Sequence, residues 1–98
     1  MINNKALSIV IPVYNEASSL NELYEEIKIN VTSFLIWKIL FVDDGSTDDS
    51  GEMIRSLHEK DQRVKLIQFH RNYGNSSALS GGFKTATGNI IITKDADL

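Results

Sequence analysis

The chain has 98 residues, 42% of them hydrophobic, with a formal net charge of −3 and no Cys. That length fits one small domain and leaves no room for two. Disulfides and Cys-bound zinc are excluded, the interspersed charges lack the basic stripe of a nucleic-acid surface, and no apolar run approaches the ~20 residues that cross a bilayer.

In chain order, Met1 to Lys5 lacks the long apolar core of a signal peptide, which together with the lack of Cys leads to the expectation of a cytoplasmic protein. Leu7 to Val13 is a β-branched run, apolar at nearly every position, as in a strand covered on both faces. Ser19 and Glu22 have capping-box spacing, and Leu20, Leu23, Tyr24, Ile27 and Val31 follow at helical spacing. Trp37 to Val42 reads as a second strand ending in the turn signal Asp43-Asp44-Gly45-Ser46. Ser46, Thr47 or Asp48 is placed to cap a second helix carrying Met53, Ile54 and Leu57. Val64 to Phe69 is a third strand, Ala78 to Ala86 a third helix weakened by Gly81-Gly82, and Ile90 to Thr93 a fourth strand after the Gly88-Asn89 turn. This alternation predicts an α/β fold: a Rossmann-like βαβαβαβ unit with a mostly parallel sheet. The chain ends at Leu98, directly after the fourth strand and its acidic segment, so residues 1–98 are expected to be one domain and the front portion of a longer protein.

In open α/β sheets, ligands bind outside the carboxyl ends of the strands. Each strand delivers polar groups to that edge: Tyr14-Asn15-Glu16, then Asp43-Asp44, then His70-Arg71-Asn72, then Asp95-Ala96-Asp97. The returns at the opposite edge carry plain turn residues. Crowded carboxylates (Glu16, Asp43, Asp44, Asp95, Asp97) repel one another unless neutralised, and a divalent cation does this. Asp95 and Asp97 in an extended segment point the same way, about 6–7 Å apart at Cα. Oxygen ligands suit Mg²⁺ or Mn²⁺, which accept substrate phosphates in their remaining positions. The alternative is a solvated turn. Asp43 or Asp44 closes the turn while the other can accept hydrogen bonds from a nucleobase or ribose. Pro12 ends a strand that otherwise reads as central. Tyr14 can lie against a flat base or pack in the core, and Arg71 can pair with a diphosphate or sit on the surface. His58 lies on the polar side of its helix and is expected to be inert, His70 to be structural, and Phe34 and Trp37 to be packing groups. No G-x-G-x-x-G follows the first strand and no G-K-[S/T] occurs, so dinucleotide-fingerprint and P-loop chemistry are excluded.

Pro12-Val13-Tyr14-Asn15-Glu16, Val42-Asp43-Asp44-Gly45-Ser46-Thr47-Asp48 and Asp95-Ala96-Asp97-Leu98, in this order and each at a strand end, resemble the three signatures of family 2 inverting glycosyltransferases of the GT-A fold. The resemblance runs from Leu7 onward. Arg71-Asn72-Tyr73-Gly74 to Gly82 is most similar to the branch of dolichol-phosphate mannosyltransferases and bacterial undecaprenyl-phosphate sugar transferases. What the resemblance implies is a GDP- or UDP-sugar donor, a polyprenyl-phosphate acceptor at the inner face of a membrane, and a role in cell wall or glycan biosynthesis. It also implies that Pro12, Tyr14 and Glu16 line the nucleotide pocket, that Val42 and Asp44 contact base and ribose, and that Asp95, Ala96 and Asp97 contact the nucleotide-sugar and its metal. In that reading Asp97 is the direct ligand, supported by Asp95. A general base, where the family has one, falls beyond Leu98, so the 98 residues alone are expected to be inactive.

Two rival readings are a non-catalytic nucleotide-binding module or scaffold, and an aspartate-based phosphotransferase using Asp95. An uncovered sheet edge would also favour a homodimer.

Overall fold

The computed structural model describes residues 3–31, 34–74 and 90–93, with side chains over 7–31 and 36–74. The elements are β1 (Asn3–Val13), α1 (Leu20–Asn30), β2 (Phe34–Asp43), α2 (Ser50–Lys60), β3 (Val64–Gln68) and β4 (Ile90–Thr93). All strand pairings are parallel and the sheet order is β3-β2-β1-β4. The α/β fold with a parallel sheet is therefore the one the alternation predicts. The expected third helix and the acidic segment 95–97 lie outside the described residues. β1 and β2 both begin earlier than their apolar runs, because Asn3 pairs with Phe34 across an irregularity before Ala6. There the hydrogen-bonded neighbour, rather than the hydrophobic pattern, extends the strand.

Burial explains why β1 reads as a continuous apolar run. Leu7, Ile9, Ile11 and Val13 face Leu20, Leu23, Tyr24 and Ile27 of α1 and Ile54 and Leu57 of α2, together with Trp37, Ile39 and Phe41 of β2. Val10, Leu40 and Val42 face the other way, against Ile67 and Phe69. Each fully buried side chain of this size contributes about 1.5–3 kcal/mol by leaving water. Phe41 has no exposure and sits among both helices' contacts, so truncation to Ala there would cost about 3–5 kcal/mol.

The helix starts differ from the sequence reading. Ser19 is the residue before α1, but it makes no capping bond through its side chain. Its hydroxyl turns back to the Glu16 carbonyl at 3.2 Å, so no capping box with Glu22 forms. At α2 the N-cap is Asp49, and it is Asp48 that accepts the Ser50 N–H at 2.9 Å.

The opposite edge carries more than turn residues. Asp61, just past α2, accepts the Tyr24 hydroxyl at 2.7 Å and is gripped by Arg63 through Nε at 2.8 Å and Nη2 at 2.9 Å. The Arg63 guanidinium lies 3.8 Å from the centre of the Trp37 ring. Hydrogen bonding from Arg63, reinforced by Tyr24, holds the Asp61 carboxyl well below the usual carboxylate range. Burial, with the Asp61 hydrogen bond and charge, pushes Tyr24 up to about 12. His58, expected to be inert, ties α2 to β3: its Nδ1 lies 2.5 Å from the Val64 carbonyl, an acceptor-only partner, so that nitrogen carries the proton.

Candidate functional site

The sheet order places the site. β2 and β3 lie on one side of β1 and β4 on the other, so the direction of winding reverses beside β1. In such sheets the crevice outside the carboxyl ends of the strands is the ligand site. The segments leaving β1, β2 and β3 meet at that edge, as the sequence pattern requires of parallel strands.

The first two of these segments are clasped together. Asn15 has a positive φ of 53°, a conformation that Asn tolerates better than most residues. Its side-chain oxygen accepts the Thr47 N–H at 2.8 Å and the Asp48 N–H at 3.2 Å. Its own N–H donates to the Ser46 hydroxyl at 2.9 Å. The Glu16 N–H donates to the Ser50 hydroxyl at 3.1 Å, and the Ala17 N–H to Asp48 Oδ2 at 3.2 Å. Partial desolvation raises the Asp48 carboxyl, but hydrogen bonds from the Ser50 hydroxyl and from the Ser50 and Ala17 N–H groups outweigh it. The group sits below its ordinary value.

The two adjacent aspartates divide their work. Asp43 is fully buried and closes its own turn, accepting the Ser46 N–H at 3.0 Å and the Gln68 side-chain amide at 3.2 Å. Asp44 is 2% exposed and gathers the segment after β3. It accepts the N–H groups of Tyr73 and Gly74, both at 2.8 Å, and the Asn72 side chain at 3.2 Å. Buried carboxylates persist only with such donors. Gly45 follows the two aspartates at φ +75°, against the segment after β3. A Cβ there would come 2.3 Å from the Arg71 carbonyl carbon and 2.5 Å from the Asn72 nitrogen, so only glycine lets the two segments touch.

The other sequence candidates fall as follows. Tyr14 is 44% exposed at the edge and is therefore no core residue. Pro12 is buried opposite Val42, whose side chain is fully buried in the sheet's second face. Glu16 is half-buried. Arg71 is exposed with its guanidinium 5.0 Å from the Tyr73 ring centre, and Tyr73 meets Phe69 edge-on at 5.6 Å. Tyr14, Glu16, Asp44 and Arg71 thus all lie on the segments that follow β1, β2 and β3. Asp95, Ala96 and Asp97 lie outside the described residues. Among the described residues no group of three or more His, Cys, Asp or Glu side chains forms a metal-holding cluster. Sequence reasoning missed Asn15, Ser46 and Ser50 as organisers of the edge. The signal available was an Asn directly before the acidic residue, facing a Ser-rich capping segment.

Comparison with known proteins identifies the family and the fold. The family model of Glycosyl transferase family 2 matches residues 8–98. The chain is 45% identical over 96 residues to an undecaprenyl-phosphate 4-deoxy-4-formamido-L-arabinose transferase of Salmonella paratyphi B, covering 96% of this chain and 29% of that protein. The fold matches a mannosyltransferase from Pyrobaculum calidifontis in complex with GDP-Man and Mn²⁺, with a TM-score of 0.81 at 24% identity over 97% of this chain and 28% of that one. It also matches glucosyl-3-phosphoglycerate synthase from Mycobacterium tuberculosis in complex with Mn²⁺, UDP and glucosyl-3-phosphoglycerate, with a TM-score of 0.74 at 24% identity over 96% and 34%.

Proposed function

The chain belongs to glycosyl transferase family 2, and from that premise we propose that it is the nucleotide-sugar-binding portion of a transferase moving a sugar, with inversion, from a nucleoside-diphosphate donor to a polyprenyl phosphate. The observation that supports this reading is that the segments after β1, β2 and β3 are bonded one to the next along the carboxyl edge of the sheet, the first to the second through Asn15 and the second to the third through Asp44. The acceptor class is supported by the 45% identity to a transferase named for undecaprenyl phosphate. The chain spans 29% of that relative's length.

In this reading exposed Tyr14 offers its ring to the base and Arg71 its guanidinium to the diphosphate. Asp44 shapes the pocket wall by holding 72–74, and meets the ribose by exchanging one of those donors. Val42, fully buried, supports the wall from behind. The carboxylates of Asp95 and Asp97 are hard oxygen donors of the kind that suit Mg²⁺ or Mn²⁺. Asp97 and Asp95 would hold such a cation. When bound, the cation supplies Lewis-acid stabilisation of the charge growing on the leaving diphosphate. A lipid phosphate acceptor is already anionic, which lessens the need for a general base. No helix among the described residues is long and apolar enough to cross a membrane. The proposed place of action is the cytoplasmic face of a membrane, where the lipid acceptor is presented. Pairing of two copies is not part of this reading.

The test is calorimetric titration of GDP and UDP with and without Mn²⁺, on the chain and on Asp97→Ala. Binding is expected only with the metal, and at least tenfold weaker in the variant. Metal-independent binding that the substitution leaves unchanged would overturn the metal assignment.

A further inference from the structure

Asp43 and Gln68 are partners in the β2–β3 register, and the Phe69 N–H donates to the Asp43 carbonyl at 2.9 Å. Alternation puts both side chains on the face that carries Ile39, Phe41, Val64 and the helices. There the Gln68 amide nitrogen donates to Asp43 Oδ2 at 3.2 Å, and its oxygen accepts from Arg55 Nη2. Gly51, in the first turn of α2, lies directly over this contact. A Cβ on Gly51 would stand 2.5 Å from the Gln68 amide nitrogen and 3.2 Å from Asp43 Oδ2. The helix start, the edge strand and the buried carboxylate therefore interlock at one amide.

We propose that Gln68, oriented by Arg55, is a positioning residue for the nucleotide pocket, acting through Asp43 on the turn that presents Ser46 to Asn15. The chemistry of the bridge selects the residue. Arg55 can only donate and an Asp43 carboxylate can only accept, so the side chain between them must accept at one atom and donate at the other. Gln does both. Glu would set acceptor against acceptor at Asp43, Lys would set donor against donor at Arg55, and Met would do neither. From Asp43 the path continues through Oδ1 to the Ser46 N–H at 3.0 Å, and from the Ser46 hydroxyl to the Asn15 N–H at 2.9 Å. Gln68 itself is an exposed edge residue. Its value lies in completing the bonds of a carboxylate that has no exposure of its own. The effect on nucleotide affinity rests on the function proposed above; the effect on the turn does not.

The experiment reads both. Amide hydrogen exchange at Ser46 is measured on the ligand-free 98-residue chain for wild type, Gln68→Glu, Gln68→Met and Arg55→Ala, beside the dissociation constants of GDP and UDP with Mn²⁺. Gln68→Glu keeps the Arg55 contact and reverses only the Asp43 contact, while Arg55→Ala leaves Gln68 in place at an exposed helix position. Expected is about tenfold faster exchange at Ser46 in both Gln68 variants and about threefold in Arg55→Ala. Exchange at Ile9 and Ile11 should be unchanged, and the dissociation constants raised about three- to tenfold. Ser46 exchange equal to wild type in both Gln68 variants overturns the proposal. Faster Ser46 exchange in a chain whose wild type binds neither nucleotide upholds the positioning role and removes the nucleotide reading instead.

Discussion

The side-chain oxygen of Asn15 lies 2.8 Å from the backbone nitrogen of Thr47, joining the segment after β1 to the segment after β2 across 32 positions of sequence. The same oxygen takes the Asp48 N–H, and the Asn15 backbone sits at φ 53°. Asn15→Ala removes the acceptor and leaves a side chain in the left-handed region. The expected loss is about 1–3 kcal/mol in urea unfolding. Asn15→Gly relieves the backbone part and should recover about 1 kcal/mol of it. Equal losses in the two variants would show that the backbone conformation contributes nothing.

Gly45 and Gly74 provide a paired test of close approach. Both have positive φ, +75° and +98°, but a Cβ on Gly45 strikes the Arg71–Asn72 backbone while one on Gly74 meets nothing within 4 Å. Gly74→Ala should cost only the backbone term, about 1 kcal/mol. Gly45→Ala should cost about 3 kcal/mol or more, or fail to give a dispersed amide spectrum, because backbone atoms cannot give way as a side chain does. Similar denaturation midpoints for the two would refute the contact.

The Asp44 carboxylate ties down 72–74 with three donors. Asp44→Asn keeps one oxygen but sets an N–H₂ against backbone N–H groups. A stability loss of about 1–3 kcal/mol is expected, with faster amide exchange at Tyr73 and Gly74. Unchanged exchange at both would mean that the carboxylate does not hold the segment.

Stability should depend on pH at both extremes, through one cluster. Tyr24 is raised to about 12, first by burial and then by its hydrogen bond to Asp61. The unfolded phenol titrates near 10, so the stabilisation is complete below about pH 10 and is lost as pH rises toward 12. Allowing for solvent screening, the loss is about 1–2 kcal/mol. Asp61 is depressed, chiefly by Arg63. Its contribution is present above about pH 3.9 and disappears as pH falls through the lower folded value. Tyr24→Phe should cost about 1 kcal/mol at neutral pH and abolish the alkaline decline. A decline that persists in the variant would assign it to another group.

The sheet, and the edge at which the segments after its strands gather, were legible in the sequence for a physical reason. Ile9, Val10 and Ile11 are all buried, so β1 had to be apolar on successive residues. Parallel strands then put every segment after a strand at one edge, and the acidic and aromatic residues could be sorted by position alone. What was not legible is what binds those segments to each other. Asn15 meets Ser46 and Thr47 at separations of 31 and 32 residues, and Tyr24 meets Asp61 at 37. Hydrophobic periodicity carries no record of such pairs. Ser19 and Glu22 illustrate the converse. Their spacing satisfied a local rule, but the Ser19 backbone is helical at φ −112°, ψ −6°, and its hydroxyl found the Glu16 carbonyl instead. The paired aspartates were partly readable: turn closure by Asp43 follows from Asp-x-Gly chemistry, whereas Asp44's grip on Tyr73 and Gly74 depends on a segment 29 and 30 residues away.

The clasp between the segments after β1 and β2 also bears on any attempt to exchange either segment with that of a relative. Six of its bonds cross from 15–17 to 46–50. A transplant of either stretch alone from a relative would bring donors and acceptors shaped for a missing counterpart. The smallest exchangeable module is therefore discontinuous, 14–19 together with 43–50, and chimeras built by single-segment swaps would report misfit before they reported specificity.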